Sequence, residues 1–362
     1  MRLSTRLIMA CMALTLITGM ALAAGFQESH TFNSDELILV NLIGEINVEP
    51  ARGDSYEVLV SVQGEDADPD LVTVNLDDGR RARLEVRFPV DEHRDYVYPE
   101  LGRGKTQISQ MNSEGADGFW DQLWRGLKND RVTVRGKGKG LEVWADITIK
   151  VPEGRETKVY LGAGHLTSGD VDGELVLDTH SGPVRVDGHT GSLLVDTGSG
   201  AVKVYDVDGP VLVDTGSGSV KVENQVGDSV KVDTGSGSVT VSNANTSYLL
   251  VDTGSGSVTA SGIQADKAKI DTGSGSVALL LDRMGDGRFV IDTGSGSVKL
   301  ALPDDASATI TVDTGSGGVR NKIKGAEILR KDDGELKMRV GDGDARVDID
   351  TGSGGVTIAS SK

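Results

Sequence analysis

From Leu193 onward the chain alternates apolar and polar positions, and the alternation itself repeats. With Asp196 of "VDTGSG" as zero, the third and first positions before it are apolar (Leu193, Val195), as are the sixth and eighth after it (Val202, Val204). Nearly the same choice recurs around Asp214, Asp233, Asp252, Asp271, Asp292, Asp313 and Asp350. A period of two marks a strand with one buried face, so each copy predicts two short strands separated by a glycine-rich corner. The residues between the apolar ones, among them Lys203, Lys221, Lys231, Thr240, Lys269 and Lys299, are expected to face outward.

The aspartates are separated by 18, 19, 19, 19, 21, 21 and then 37 residues. A period near 20 signals stacked units, because one copy cannot bury its apolar face alone. Degenerate copies extend the array: Tyr160 in "VYLGAGHL", Asp178 in "LDTHSG", and Asp332 in "KDDGELKMRV", which fills the wide last gap. The expected fold is all-β, a parallel β-solenoid of about eleven rungs of 18–21 residues from Tyr160 to Asp350. At a strand spacing of about 4.8 Å, ten intervals make a rod roughly 48 Å long. Val and Ile suit such a pleated, half-buried surface.

The corner "DTGSG" carries the letters that surround the catalytic carboxylate of pepsin-like aspartic proteases. Such an enzyme needs two of these motifs facing each other across two lobes, sharing a proton. Eight motifs at rung spacing argue for a structural corner instead. There Asp is expected to accept backbone N–H groups two residues on, the glycines to supply positive φ, and the Thr and Ser hydroxyls to bond within the turn or to the next rung. Stacked carboxylates about 4.8 Å apart repel by roughly 0.9 kcal/mol per pair in water. Backbone donors, neighbouring lysines or cations would offset this. Asp196, Asp214, Asp233, Asp252, Asp271, Asp292, Asp313 and Asp350 are therefore the candidate metal-associating residues, with weak Ca²⁺ association as the expectation. The nonapeptide of calcium-binding β-rolls is absent, and no other cofactor is implied.

Residues 25–154 read as less regular strands ("ELILVNLIGEINVEP", "YEVLVSVQG", "ARLEVRFPV", "LEVWADITIKVPEG"), expected to open one continuous domain with the regular repeats of 155–362, so that a boundary near Pro152 is a convenience. One insertion breaks the style. Over 116–130, Phe119, Trp120, Leu123, Trp124 and Leu127 fall at helical spacing, predicting one short amphipathic helix that caps strand edges or serves as a partner or peripheral membrane contact. The polar stretch Gly102–Gly115 beside it reads as a loop. The five histidines show no metal-ligand spacing; His165 and His180 fall in degenerate corners, standing in for Gly or Ser.

Residues 1–24 carry Arg2, Arg6, an apolar run and a small-residue end at Ala23-Ala24, the pattern of a secretory signal peptide. A lipoprotein site at Cys11 is disfavoured by the apolar residues that follow it. The single cysteine leaves with the leader, so no disulfide is expected. Removing two arginines takes the net charge from −18 to −20, which disfavours nucleic acid as a partner. No later run is long and apolar enough for a transmembrane segment. A Ser-His-Asp set, a P-loop and a nucleophile elbow are all missing from the sequence, so a non-enzymatic role is expected.

The leader, the "GEINVEP" strand, the "TGSGSVKV" rungs, "LPDDASATITVDTGSGGV" and the closing "GDGDARVDIDTGSGGVTI" together resemble the bacterial exported "putative adhesin" family of β-strand-repeat proteins, a domain of unknown function, over most of Phe26–Ile358. The resemblance implies an exported β-solenoid in the periplasm, on the envelope surface or secreted, and brings no catalytic residues. The expected function is a surface adhesin or envelope scaffold with a protein or glycan partner. The alternatives are a carbohydrate-active β-helix, against which the dispersal of the outward lysines counts, and a calcium-dependent structural module.

Overall fold

The structure, a computed structural model, describes residues 25–109 and 131–361. The leader and the helix expected over 116–130 lie outside these residues. The repeats stack in parallel and in register: Asp178 pairs with Asp196, and the pairing continues through Asp214, Asp233, Asp252, Asp271 and Asp292. The facing follows the alternation. Val195, Val204, Val213, Val251, Leu279 and Leu300 are fully buried, while Lys203 and Lys299 are exposed. Each fully buried valine contributes about 1.5–3 kcal/mol, so the stacked interior is the main source of stability.

A third inward column, Val171, His189, Val207, Gln225, Ala244 and Ile263, lines the return segment of each rung. Its mixed composition hid it from the alternation. Gln225 is fully buried and donates from Nε2 to the Gly209 carbonyl at 2.8 Å, which satisfies its amide nitrogen inside the stack. At the outer corner beside it, Asp206, Asn224 and Asn243 adopt positive φ and form a side-chain ladder: Asn224 donates to Asp206 at 2.8 Å, and Asn243 to Asn224 at 3.2 Å. Asn and Asp tolerate this left-handed conformation better than other non-glycine residues.

Below the Tyr160 rung lies one more, formed by the strand Glu36–Pro50, with Val40 opposite Tyr160 and Gly44 opposite Gly164. It obeys the same offsets (Leu37, Leu39, Ile46, Val48, all buried) but lacks the glycine-serine corner that made the other copies visible. Beneath it the stack is completed by two separate parallel pieces, Arg81–Arg87 and Trp144–Val151. Antiparallel strands then cover these: Thr73–Asp77 against the first, and Tyr56–Gln63 followed by Gly25–Phe32 against the second. A small second sheet joins Asp95–Val97, Lys105–Ser109, Arg131–Arg135 and Leu141–Glu142. The stretch read as a loop over Gly102–Gly115 thus contains a strand, anchored by the fully buried Ile108.

The far end departs from sequence order. Asp292 pairs with Asp350, and Asp350 with Asp313, so the last rung in the chain is seated between its two predecessors. The Asp332 copy forms no parallel rung. Instead Glu335–Val340 runs antiparallel to Ala308–Thr314, and Glu327–Lys331 antiparallel to Glu335–Val340. Here "KDDG" supplies a hairpin turn, with Asp332 and Glu335 exchanging backbone bonds, in place of a solenoid corner. Glu327, Arg330 and Lys331 charge the edge strand, the usual defence of an open strand edge against pairing with another chain.

Candidate functional site

In "VDTGSG" the valine and threonine point inward and the aspartate outward. Thr197, Thr215, Thr234, Thr253, Thr272, Thr293 and Thr351 are all buried. Thr272 Oγ1 donates to the Gly256 carbonyl of the neighbouring rung at 2.9 Å and accepts the Gly275 N–H of its own corner at 3.0 Å. Thr293 and Thr351 repeat both contacts. Threonine therefore performs the turn-stabilising role that the sequence assigned to aspartate. Among the described residues no backbone N–H donates to the eight column aspartates.

The glycines also serve a different purpose from the one expected. In the aspartate corners their φ values are not in the left-handed region. A Cβ built on Gly256 would lie 1.7 Å from the Gly237 carbonyl oxygen, and one on Gly275 1.8 Å from that of Gly256. The second glycine thus forms a column through which the rungs touch backbone to backbone, a spacing that any side chain would prevent.

The in-register ladder places Asp196, Asp214, Asp233, Asp252, Asp271, Asp292, Asp350 and Asp313, in that spatial order, along one outward line. Burial and the neighbouring Asp214 carboxylate push Asp196 up to about 6. Burial and the adjacent carboxylates of the column likewise raise Asp233, Asp252 and Asp292, with Lys269 partly offsetting the last two. Asp292 feels both Asp271 and Asp350, as the seated last rung requires. Neighbouring motifs share one column and do not face each other across two lobes, so the protease dyad geometry does not arise here. Among the described residues no group of three or more His, Cys, Asp or Glu side chains is arranged to hold a metal ion.

His180 occupies the first glycine position of its corner. Its Nε2 donates to the Gln107 carbonyl at 2.9 Å, docking the small second sheet onto the stack, and burial lowers its pKa. Phe119, Trp120, Leu123, Trp124 and Leu127 lie outside the described residues. No helix among the described residues is long and apolar enough to cross a membrane.

Two in-register strands per rung, a threonine spine and paired glycine columns define a repeat protein of the parallel β-solenoid class. Its outward faces are lines of identical side chains. The chain belongs to the family described as Toastrack DUF4097, whose model matches residues 145–359. No curated protein matches it. It is similar to a crystal structure named "putative cell adhesion protein" from Clostridium sporogenes (11% identity, 93% of this chain and 99% of that one, TM-score 0.18). It is also similar to one named "putative lipid binding protein" from Parabacteroides distasonis (14% identity, 92% of this chain and 96% of that one, TM-score 0.38). Likenesses this remote say nothing of a ligand.

Proposed function

We propose that the protein is exported and acts without catalysis, as an adhesin or envelope scaffold that binds an extended partner along its outward faces. The observation that carries this reading is the register of the stack. Each outward position becomes a line of like groups at strand spacing, so a partner with its own repeat meets many weak contacts at once, and avidity then exceeds any single contact. The leader-like residues 1–24 support export. The aspartate line supports diffuse association of cations such as Ca²⁺, held by charge density and not by a closed ligand shell.

The test is binding of the purified mature chain to a glycan panel and to envelope extract, compared with a chain lacking rungs 214–271. An extended partner predicts capture that weakens steeply when those rungs are removed. Equal capture by both chains, or capture of a small soluble metabolite alone, would count against the reading.

A further inference from the structure

On the outward column seven residues after each corner position, the register runs Thr167, Arg185, Lys203, Lys221, Thr240, Thr259, Ala278, Lys299, Thr357, Arg320. In a chain of net charge −18, this line contains no acidic residue. Its two ends differ. Near the lower end two of the three cations have partners: Arg185 pairs with Asp187, Lys221 with Glu223 at 2.5 Å, and both flank the Tyr205 ring at 4.7 and 5.0 Å. Near the upper end the surface sinks into a groove of about 730 Å³ that crosses five rungs. Lys299, Arg320 and Lys322 line it, all exposed, and none forms an ion pair with a described residue. Ser257, Ser276 and Ser297 add a row of exposed hydroxyls, and no acidic side chain lines the groove.

We propose that this groove binds an acidic polysaccharide, a chain of uronate-type sugars lying along the stacking axis. This deepens the adhesin reading and rests on it for its biological setting. Lys299 and Arg320 are separated by the Thr357 rung, hence by two strand spacings, roughly 10 Å along the axis. An extended hexose chain advances by about one strand spacing per sugar, so carboxylates on alternate sugars meet Lys299 and Arg320, while ring hydroxyls face the serine row of the neighbouring rungs. An acidic peptide fits less well. The strand N–H and C=O groups of this face are committed to the parallel ladders in all but the last rung, where Val319–Asn321 keeps one open edge of three residues, too short to hold an incoming backbone along the groove. Nucleic acid lacks a stacking platform, since no aromatic side chain lines the groove.

Two positions allow the groove to be closed without disturbing the backbone. A Cβ built on Gly318 has nothing within 4 Å, and one on Gly355 meets only the Gly318 carbonyl oxygen at 3.4 Å. The experiment titrates a labelled short polygalacturonate oligomer against the full mature chain at low and high salt. Variants are Lys299→Glu/Arg320→Glu, Gly318→Glu, and Lys203→Glu as a cation of the same column outside the groove. The expected result is salt-sensitive binding, weakened about tenfold or more in the two groove variants and nearly unchanged in Lys203→Glu, with unaltered thermal midpoints. Absence of binding by the parent chain, or equal binding by all four proteins, overturns the proposal. So does equal affinity for a matched oligodeoxythymidylate, which would make the groove a general polyanion site. Capture in the glycan and envelope assay that is indifferent to these substitutions would defeat the groove assignment and leave the adhesin reading standing.

Discussion

Replacing Gly256 with alanine tests the backbone-to-backbone stacking directly. Gly→Ala at a compatible site stabilises a protein by about 0.4–1 kcal/mol through the unfolded chain. At Gly256 the new Cβ would start 1.7 Å from the Gly237 carbonyl oxygen and must withdraw to at least 3.0 Å, a displacement of 1.3 Å or more against backbone. Two buried hydrogen bonds pass through this residue: Thr272 Oγ1 to its carbonyl at 2.9 Å, and its N–H to Thr253 Oγ1 at 3.1 Å. Overpacking of this kind costs about 1–3 kcal/mol, and each compromised buried bond about another 1 kcal/mol, so the expected loss is about 3–5 kcal/mol. Gly318→Ala is the matched control, because its Cβ enters open space, and it should be neutral or slightly stabilising. Urea unfolding of both variants, with amide exchange followed across residues 237–275, separates the two effects. A Gly256→Ala protein as stable as Gly318→Ala would refute the close-contact explanation of the glycine column.

Facing can be tested within one dipeptide: Val251→Asp places a carboxylate in a fully buried position and should cost about 3 kcal/mol or more, whereas Asp252→Ala should stay within about 0.5 kcal/mol of the parent. Equal melting temperatures for the two would reverse the assigned faces. Because Asp196, Asp233, Asp252 and Asp292 have raised folded-state pKa values, the folded chain holds more protons than the unfolded one in a window that opens near pH 4 and, for Asp196, extends to about 6. The column's contribution to stability therefore falls as pH rises through that window. Melting temperature should be higher near pH 4.5 than near pH 7 by the column's share, and Asp196→Asn should raise the pH 7 value and flatten the slope. A column-dependent slope of opposite sign, measured as parent minus Asp196→Asn, would contradict the assignment. Ending the chain at Gly341 removes the seated rung with its buried Val347, Ile349, Val356 and Ile358, on the order of 6–12 kcal/mol of burial, and uncovers rungs 292 and 313 together. Exchange protection should collapse in both and return when a peptide of residues 342–362 is added; protection lost from rung 313 alone would show that rung 350 does not sit between them.

The repeat, its facing and its parallel stacking were legible in the sequence because each is enforced locally in every copy. Leu193, Val195, Val202 and Val204 can be buried together in only one way if the chain turns at Gly198-Ser199-Gly200, and the same test recurs rung after rung. The Val40 rung obeys the same offsets, but its sequence carries no corner signal, because it lacks the glycine-serine letters. The Glu327–Val340 hairpin differs from the expected rung for the opposite reason: Asp332 sits at rung spacing, yet "KDDG" is a hairpin turn followed by a strand with no glycine corner. The Gly318 groove gave no local signal, since Lys299, Arg320 and Lys322 become neighbours only through pairing.

Sequence by itself determined what each copy buries and exposes, since alternation is a property of contiguous residues. Tertiary structure decided which copy touches which. Rungs 292, 313 and 350 present nearly identical edges, so local preference cannot choose among their orders of stacking. The choice falls to the connections: a short link after Leu302 carries the chain past one rung site, and the excursion through the hairpin brings Ala345–Ser360 back to fill it. Tertiary structure likewise determined why glycine stands in the corner, because the carbonyl that excludes a side chain there belongs to a residue about one full rung away.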